Sequence, residues 1–485
     1  MRFSPRSAAR SLLVGAVALS GSVVIGLTPA GTAMVGLVVA ATPLIVPGTG
    51  TPKPQDSNNY MAHAVEYYIQ PGDTCGAGVA CQDPVPVPYI AQFWPLPFAG
   101  WGGLEGAKWN VSVASGVTRL TSELVGTNNP TAAHPVVVFG YSQGATVASI
   151  VKGNLADLPD TQKQHLAFVL IGNPNRPNGG LFERLAALGT VPVLDATFGN
   201  PTPTDTGIET YDIALTYDGV ADAPSWVLNP LALANAVAGF EYVHGTYLAP
   251  RGTDAAGATP YGYTPEQVQA AIEQAKADCS AATHCQTHGD THYITLPAKY
   301  LPIMQPVLDL AAATGTSAVV IPLVDLVSPA LQTLIETGYD RTDYGRPTPF
   351  GLLPRVNPVK LVSDLLNDIP EGIKAAREPG LTPLPGWTDP TNPSATTHTT
   401  PDTLATTTTT QIPTSDRKPL LRLNAIAKPG TAPNDDVATK VDRPSLRKAL
   451  GIKGHPVRDL AKSIDSTVRK ALGQPDDGKK STPAA

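Results

Sequence analysis

Along the first half of the chain, apolar positions come in short unbroken runs separated by stretches with helical spacing. An apolar run from Leu37 ends in the loop Pro47-Gly-Thr-Gly-Thr-Pro52, and Asn58 to Ile69 then follows with apolar residues at helical intervals. Further runs stand at Pro135 to Phe139, Ala167 to Ile171, Val191 to Leu194 and Ile213 to Tyr217, with helical patterns between several of them. Strands covered on both faces read as continuous apolar runs, so this alternation predicts an α/β fold, a mostly parallel sheet with flanking helices.

After Thr246 the pattern changes. Thr264 to Ala277 has the spacing of a polar helix, and Leu301 to Thr337 is dense in Leu, Val and Ile with breaks expected at Pro322 and Pro329. The second stretch is read as a helical cap or flanking layer; its alternative is a lipid-facing surface beside the site of chemistry. Residues 379–415 are rich in Pro and Thr and include the run Thr406 to Thr410, a composition that buries too little apolar surface to offset ordering entropy. That segment is expected to be a linker or glycosylated stalk. Residues 416–485 form a basic tail of low order, in which Arg447-Lys-Ala-Leu-Gly451 recurs as Arg469-Lys-Ala-Leu-Gly473. Short basic amphipathic helices at an anionic surface are one reading of it, a solvated chain the other.

Charge sharpens this division. The tail holds 15 Lys/Arg and 8 Asp/Glu, so the rest of the chain, with 19 basic and 32 acidic residues, is acidic. An acidic body argues against nucleic acid as a partner, because phosphate contacts need a basic surface. At the other end, Arg2, Arg6 and Arg10 precede forty-two residues, Ser11 to Pro52, without a charged side chain. Residues 1–36 therefore read as a signal peptide or membrane anchor, and residues 37–378 as the folded domain. Export places the protein in the extracytoplasmic envelope, anchored or secreted. In that setting Cys75 with Cys81 and Cys279 with Cys285, two pairs of equal spacing, read as disulfides, local pairing being the simplest of three connectivities.

The strongest chemical signal is Val136-Val-Val-Phe139 followed by Gly140-Tyr-Ser142-Gln-Gly144 and a run of small residues. Strand, G-x-S-x-G turn and helix together form a nucleophile elbow, which raises a serine to the carboxyl edge of a sheet. A serine hydroxyl needs a histidine to take its proton and a carboxylate to orient that histidine. In this fold class the acid follows the serine and the histidine comes last. Asp218, directly after the run Ile213 to Tyr217, is the leading acid; Asp222 is the alternative and Asp195 a distant third. Of the histidines after the acid, His244 is preferred, since a loop beyond one further helix returns to the same sheet edge. The Gln143 amide and that of Thr49 or Gly50 are the candidate oxyanion donors. The aromatic segment Phe93 to Phe98 with Trp101 lines either an acyl groove or the core. His284, His288 and His292 with Asp290 have metal-like spacing, but Gly289 and the local polarity favour a loop, and neither a metal nor any other cofactor is assigned.

From about Pro47 to Ala376 the sequence resembles a PE-PPE domain, a serine-hydrolase module similar to cutinases. The phrases that carry the resemblance are Val46-Pro-Gly-Thr-Gly-Thr-Pro52, Gly140 to Gly144, Gly172-Asn-Pro-Asn-Arg-Pro-Asn-Gly-Gly180, Tyr217 to Asp222 and Tyr242-Val-His-Gly-Thr-Tyr247. It implies an α/β-hydrolase fold, ester or acyl substrates, and a triad of Ser142, Asp218 (or Asp222) and His244. A signal or anchor segment stands where a helical PE or PPE module would, an arrangement similar to cutinase-like acyltransferases that build acylated trehalose lipids. Hydrolysis and transfer to a sugar hydroxyl use the same residues, so both are carried forward, with a non-catalytic lipid-binding envelope protein as the rival class.

Overall fold

The structure, a computed structural model, describes residues 39–392 except 253 and 256. The expectations for residues 1–36 and for the basic tail 416–485 lie outside the described residues. A seven-stranded sheet organises the rest. Its strands are β1 (Thr42–Val46), β2 (Val85–Pro86), β3 (Val136–Tyr141), β4 (Leu166–Ile171), β7 (Thr210–Leu215), β8 (Cys285–His288) and β9 (Thr291–Leu296), while β5 (Thr190–Val191) and β6 (Ala196–Thr197) form a small separate hairpin. Spatial order is β2-β1-β3-β4-β7-β9-β8, parallel throughout except for β8.

Side-chain alternation along the strands produces two cores. Ile45, Val137, Phe139, Val169, Ile171 and Ile213 point to one face, where the helical segment Tyr60–Ile69 covers them. Leu44, Val46, Val138, Phe168 and Leu170 point to the other, against helices α1 (Trp109–Val125) and α2 (Gln143–Asn154). Every residue of β3 and β4 is buried, which is why those strands read as unbroken apolar runs. Further helices follow: α3 (Pro230–Tyr242), α4 (Pro265–Ala277), α5 (Gln305–Thr314), α6 (Ser317–Glu336) and α7 (Pro358–Ala375). Helix α4 starts where Thr264 and Gln267 form a reciprocal capping box, and its Val268, Ile272 and Ala275 join the first core.

Four expectations change. Val191 to Leu194 is no strand of the main sheet; Thr190 and Val191 pair only with the short β6. The histidine-rich stretch after Cys279 is not a loop but the β8–β9 hairpin, turned by Gly289 at φ 58°. Pro322 and Pro329 lie inside one continuous helix, α6. Seven positions apart, they fall nearly on the same flank of the helix. Finally, the segment expected to begin a linker at 379 packs on the domain: Leu384 is buried, Trp387 stands edge-on to Tyr263, and Gln274 Nε2 donates to the Pro390 carbonyl at 2.6 Å. Both cysteine pairs are disulfides, Cys75–Cys81 and Cys279–Cys285.

Candidate active site

Strand β3 delivers the chain to Ser142, whose backbone sits at φ 54° and ψ −118° before α2 begins. Such a conformation is one that only glycine adopts without strain, and the surrounding packing holds it. Part of that packing is the close approach of α2 to the end of β1: a β-carbon at Gly144 would stand 2.3 Å from the Val46 carbonyl oxygen. Only glycine fits there.

Strand β7 ends two residues short of Tyr217, itself at φ 68°, and the turn presents Asp218. Helix α3 ends at Tyr242, and His244 follows in a short 3₁₀ turn. His244 Nε2 lies 2.8 Å from Ser142 Oγ, and its Nδ1 lies 3.0 Å from each oxygen of Asp218. An ionised carboxylate only accepts, so Nδ1 carries the proton and Nε2 is left as an acceptor facing the serine. Asp218 is fully buried and also accepts from the Val220 amide and the Tyr247 hydroxyl, both at 2.8 Å. Burial, and next the Asp218 charge, push the Tyr247 phenol well above its usual range, so it stays a donor. Tyr141 donates to the carbonyl of His244, fixing the histidine's backbone.

Asp222, the alternative acid, turns away from the histidine. Its carboxylate accepts from the Tyr217 amide at 2.8 Å and pairs with Arg341 at 2.9 Å, an ion pair that shapes the acid turn from behind. Asp195 accepts from Asn110 at 3.1 Å beside the small hairpin.

Residues 82–340, just over half of the chain, match the model of the PE-PPE domain. This chain belongs to the PE-PPE domain family. It is 35% identical over 353 residues to Esterase PE16 of Mycobacterium tuberculosis (strain ATCC 25618 / H37Rv), an alignment covering 72% of this chain and 57% of that protein. Little more than half of that relative's length is therefore represented here. The SL1278 acyltransferase Chp1 of the same organism is 28% identical over 367 residues, covering 74% of this chain and 75% of the relative. Among solved structures, a cutinase-like protein from Cryptococcus sp. aligns at a TM-score of 0.24 and 18% identity, over 38% of this chain and 79% of that one.

In this PE-PPE domain the loop after β1 borders the serine. A β-carbon at Gly48 would lie 3.2 Å from Ser142 Cβ. Gly48 N–H donates to the Tyr60 hydroxyl at 3.0 Å, and burial pushes that phenol up to about 12, keeping it neutral as an acceptor. The Gly50 amide donates to the Ala91 carbonyl at 2.8 Å, so Gly50 is removed as a candidate oxyanion donor in this conformation. Thr49 N–H has no hydrogen-bond partner among the described residues, and the Gln143 amide opens α2, where the first amides lack intrahelical acceptors. The Gln143 side chain is buried between Ser112 Oγ (2.8 Å) and the Gln92 carbonyl (3.0 Å), a tie that the motif alone did not announce.

The aromatic segment divides. Phe93 packs on Trp109 and, through it, Phe182 in the second core. Trp101, stacked on Phe93 at 6.2 Å, and Phe98 meet Phe240 of α3, whose ring stacks at 6.1 Å on His244. A half-buried apolar wall thus stands beside the histidine. The histidine cluster of the hairpin is engaged elsewhere: Asp290 holds the buried Lys152 at 2.6 Å, His288 meets Asp343 at 3.1 Å, and His292 meets the Thr287 hydroxyl at 3.0 Å. Cys279 and Cys285, near His292, are bonded to each other and offer no thiolate.

The turn that presents Asp218 and the helix that leads to His244 are seated on one another through glycine. A β-carbon at Gly239 of α3 would come 1.8 Å from the Tyr217 carbonyl oxygen, and one at Gly219 would come 2.1 Å from the Ala236 carbonyl oxygen. Gly239→Ala is therefore expected to push the acid turn off α3 and to destabilise the fold by about 1–3 kcal/mol. Thermal denaturation of the variant beside the parent checks this.

Proposed function

We propose that this protein is a serine acyl hydrolase or transacylase acting on lipid or other acyl esters outside the cytoplasmic membrane. The single observation that carries the reading is His244 held between Ser142 Oγ and the buried Asp218 carboxylate. In the proposed cycle Ser142 attacks the ester carbonyl while His244 Nε2 takes its proton, and the Gln143 and Thr49 amides receive the oxyanion. The imidazolium, stabilised by Asp218, then returns the proton to the leaving alkoxide, leaving an acyl-serine. Water, or a sugar hydroxyl deprotonated by the same histidine, resolves that ester. The Phe98, Trp101 and Phe240 wall is the proposed bed for the acyl chain. The two disulfides and the charge pattern of residues 1–36 support an extracytoplasmic location.

A second reading, acyl transfer to trehalose-type glycolipids, is favoured by the similarity to Chp1 and to the Diacyltrehalose acyltransferase Chp2 of Mycobacterium tuberculosis. Incubation with an acyl-trehalose separates the two: a more highly acylated product by mass spectrometry supports transfer, and free fatty acid alone excludes it. The shared first step is tested by a fluorophosphonate probe followed by peptide mapping, with the adduct expected on Ser142. A purified, folded protein that takes no label would overturn the enzyme reading in favour of a non-catalytic lipid binder.

Tyr247 is proposed as a positioning residue. Its hydroxyl accepts from the Leu215 amide at 2.9 Å and donates to Asp218, tying the acid to the strand that delivers it. Hydrogen bonds to charged groups contribute about 1.5–3 kcal/mol, so Tyr247→Phe is expected to lower kcat roughly tenfold or more with KM little changed. Losing that donor concentrates charge on Asp218, so the acid limb of the kcat profile should also move to higher pH.

A further inference from the structure

Helices α6 and α7 leave apolar flanks exposed. In α7 the residues Val359, Val362, Leu366, Ile369 and Ile373 recur at helical intervals, and each is at least 40% exposed. The flank of the same helix turned to the protein carries Gly372, so close to α6 that a β-carbon would lie 2.1 Å from the Leu326 carbonyl oxygen, and the half-buried Asp364 and Asp368. Asp368 Oδ2 is buried there without a partner among the described residues. Helix α6 buries Asp325 and Ser328 beside Val324 and Ile335, while Val319, Leu323, Leu326 and Val327 are 41% to 68% exposed. Water is the wrong solvent for such a pair.

We propose that this face seats on the surface of a lipid layer, its aliphatic stripe immersed at the boundary between headgroups and acyl chains. Three observations select lipid over a protein partner. The exposed stripe is entirely Val, Leu and Ile, without the Trp, Tyr or Arg anchors on which protein interfaces concentrate their binding energy. Helix α6 is long and apolar enough to cross a bilayer by length and composition, yet only 28% of its most apolar stretch is buried. The polar groups that interrupt α6, Asp325 and Ser328, face the protein, the arrangement a helix adopts when hydrocarbon lies outside it, while Ser363 and Asn367 of α7 flank its stripe in the open.

Charge decides which lipid. Helices α5 and α6 carry no basic residue, and Asp325 is buried while Glu336 pairs with Arg341; on α7 Lys360 pairs with Asp364, and the exposed Lys374 stands three positions from the exposed Glu371. A face whose exposed charges balance fits a layer of uncharged or zwitterionic headgroups and gains little from an anionic one. Helix α3 packs against α6, exposes Leu231 and Val237, and leads to Phe240 beside His244, so the face adjoins the candidate site. Where the proposed function holds, an acyl chain leaving the lipid layer reaches Phe240 along α3. Docking itself stands without that reading.

All four native cysteines are in disulfides, so a single introduced cysteine is labelled uniquely. The full chain carrying Ser142→Ala and one of Val362→Cys, Leu366→Cys or Asn367→Cys is labelled with an environment-sensitive fluorophore and mixed with phosphatidylcholine vesicles. Expected are a blue shift and quenching by nitroxide-labelled lipid at 362 and 366, none at the polar position 367, and no loss when salt is raised or phosphatidylglycerol omitted. Vesicle binding with all three positions silent, or binding that requires anionic lipid, overturns the proposal. So does protection of the stripe before vesicles are added, if it vanishes on deletion of residues 416–485 (the tail as occupant) or on dilution (a second copy). Since Ser142 is absent throughout, failure of the proposed chemistry leaves this outcome unaffected.

Discussion

Ser142→Ala is expected to abolish fluorophosphonate labelling and to lower ester turnover by about 10⁶-fold, the scale seen when the serine of a Ser-His-Asp unit is removed. The loss does not scale with one hydrogen bond because, in the proposed cycle, the hydroxyl supplies the electron pair that forms the acyl-enzyme. Stability should move the other way in a companion variant. Ser142 holds φ 54° and ψ −118°, a region in which glycine is unstrained, so Ser142→Gly should be inactive and yet more stable than the parent by roughly 1–3 kcal/mol. Active-site titration and chemical denaturation of both variants check the two halves. A Ser142→Gly protein no more stable than the parent would show that the elbow stores no strain.

Asp218→Asn and Asp222→Asn should separate chemistry from architecture. In Asp218→Asn the Val220 amide and the Tyr247 hydroxyl still point at the side chain, and both demand an acceptor. An amide has only one, and it carries no charge to stabilise the imidazolium. With the wrong histidine tautomer favoured, kcat should fall about 10⁴-fold while the fold persists. Asp222→Asn removes the charge opposite Arg341, leaving that guanidinium with Glu336 alone, and weakens the bond to the Tyr217 amide. Breaking one side of a fully buried pair costs about 3–5 kcal/mol; Arg341 is partly exposed and keeps Glu336, so this variant should melt earlier by less than that, yet keep most of its turnover per folded molecule. Equal loss of kcat in both would mean that the acid turn responds as one unit.

The elbow that presents Ser142 could be read from sequence because every constraint on it is local: an apolar strand, small residues on either side, and a helix beginning one position later. Choosing between Asp218 and Asp222 was a harder matter. Both follow the same strand, and what distinguishes them is a long-range fit, the Tyr217 carbonyl resting on Gly239 and Arg341 arriving from over a hundred residues away. Local spacing contains neither contact. The loop proposed to hold the oxyanion borders Ser142, but the orientation of its amides depends on Ala91, which occupies the Gly50 donor. Strands β8 and β9 escaped notice since Cys285 to His292 is polar, as suits a strand at the sheet margin whose pairing is backbone to backbone. Helix α6 was seen as broken because proline is costly inside helices, a penalty that packing against α3 and α7 outweighs here.

The two margins of the sheet also limit how copies of this protein can associate. At one end β2 is only two residues long and contains Pro86, which has no amide proton to offer. At the other, β8 is four residues long, and the disulfide from its first residue, Cys285, ties it to Cys279. Neither margin presents a long free ladder of donors and acceptors. Among the described residues both margins therefore disfavour strand addition between molecules, the usual route by which exposed sheets join into fibrils.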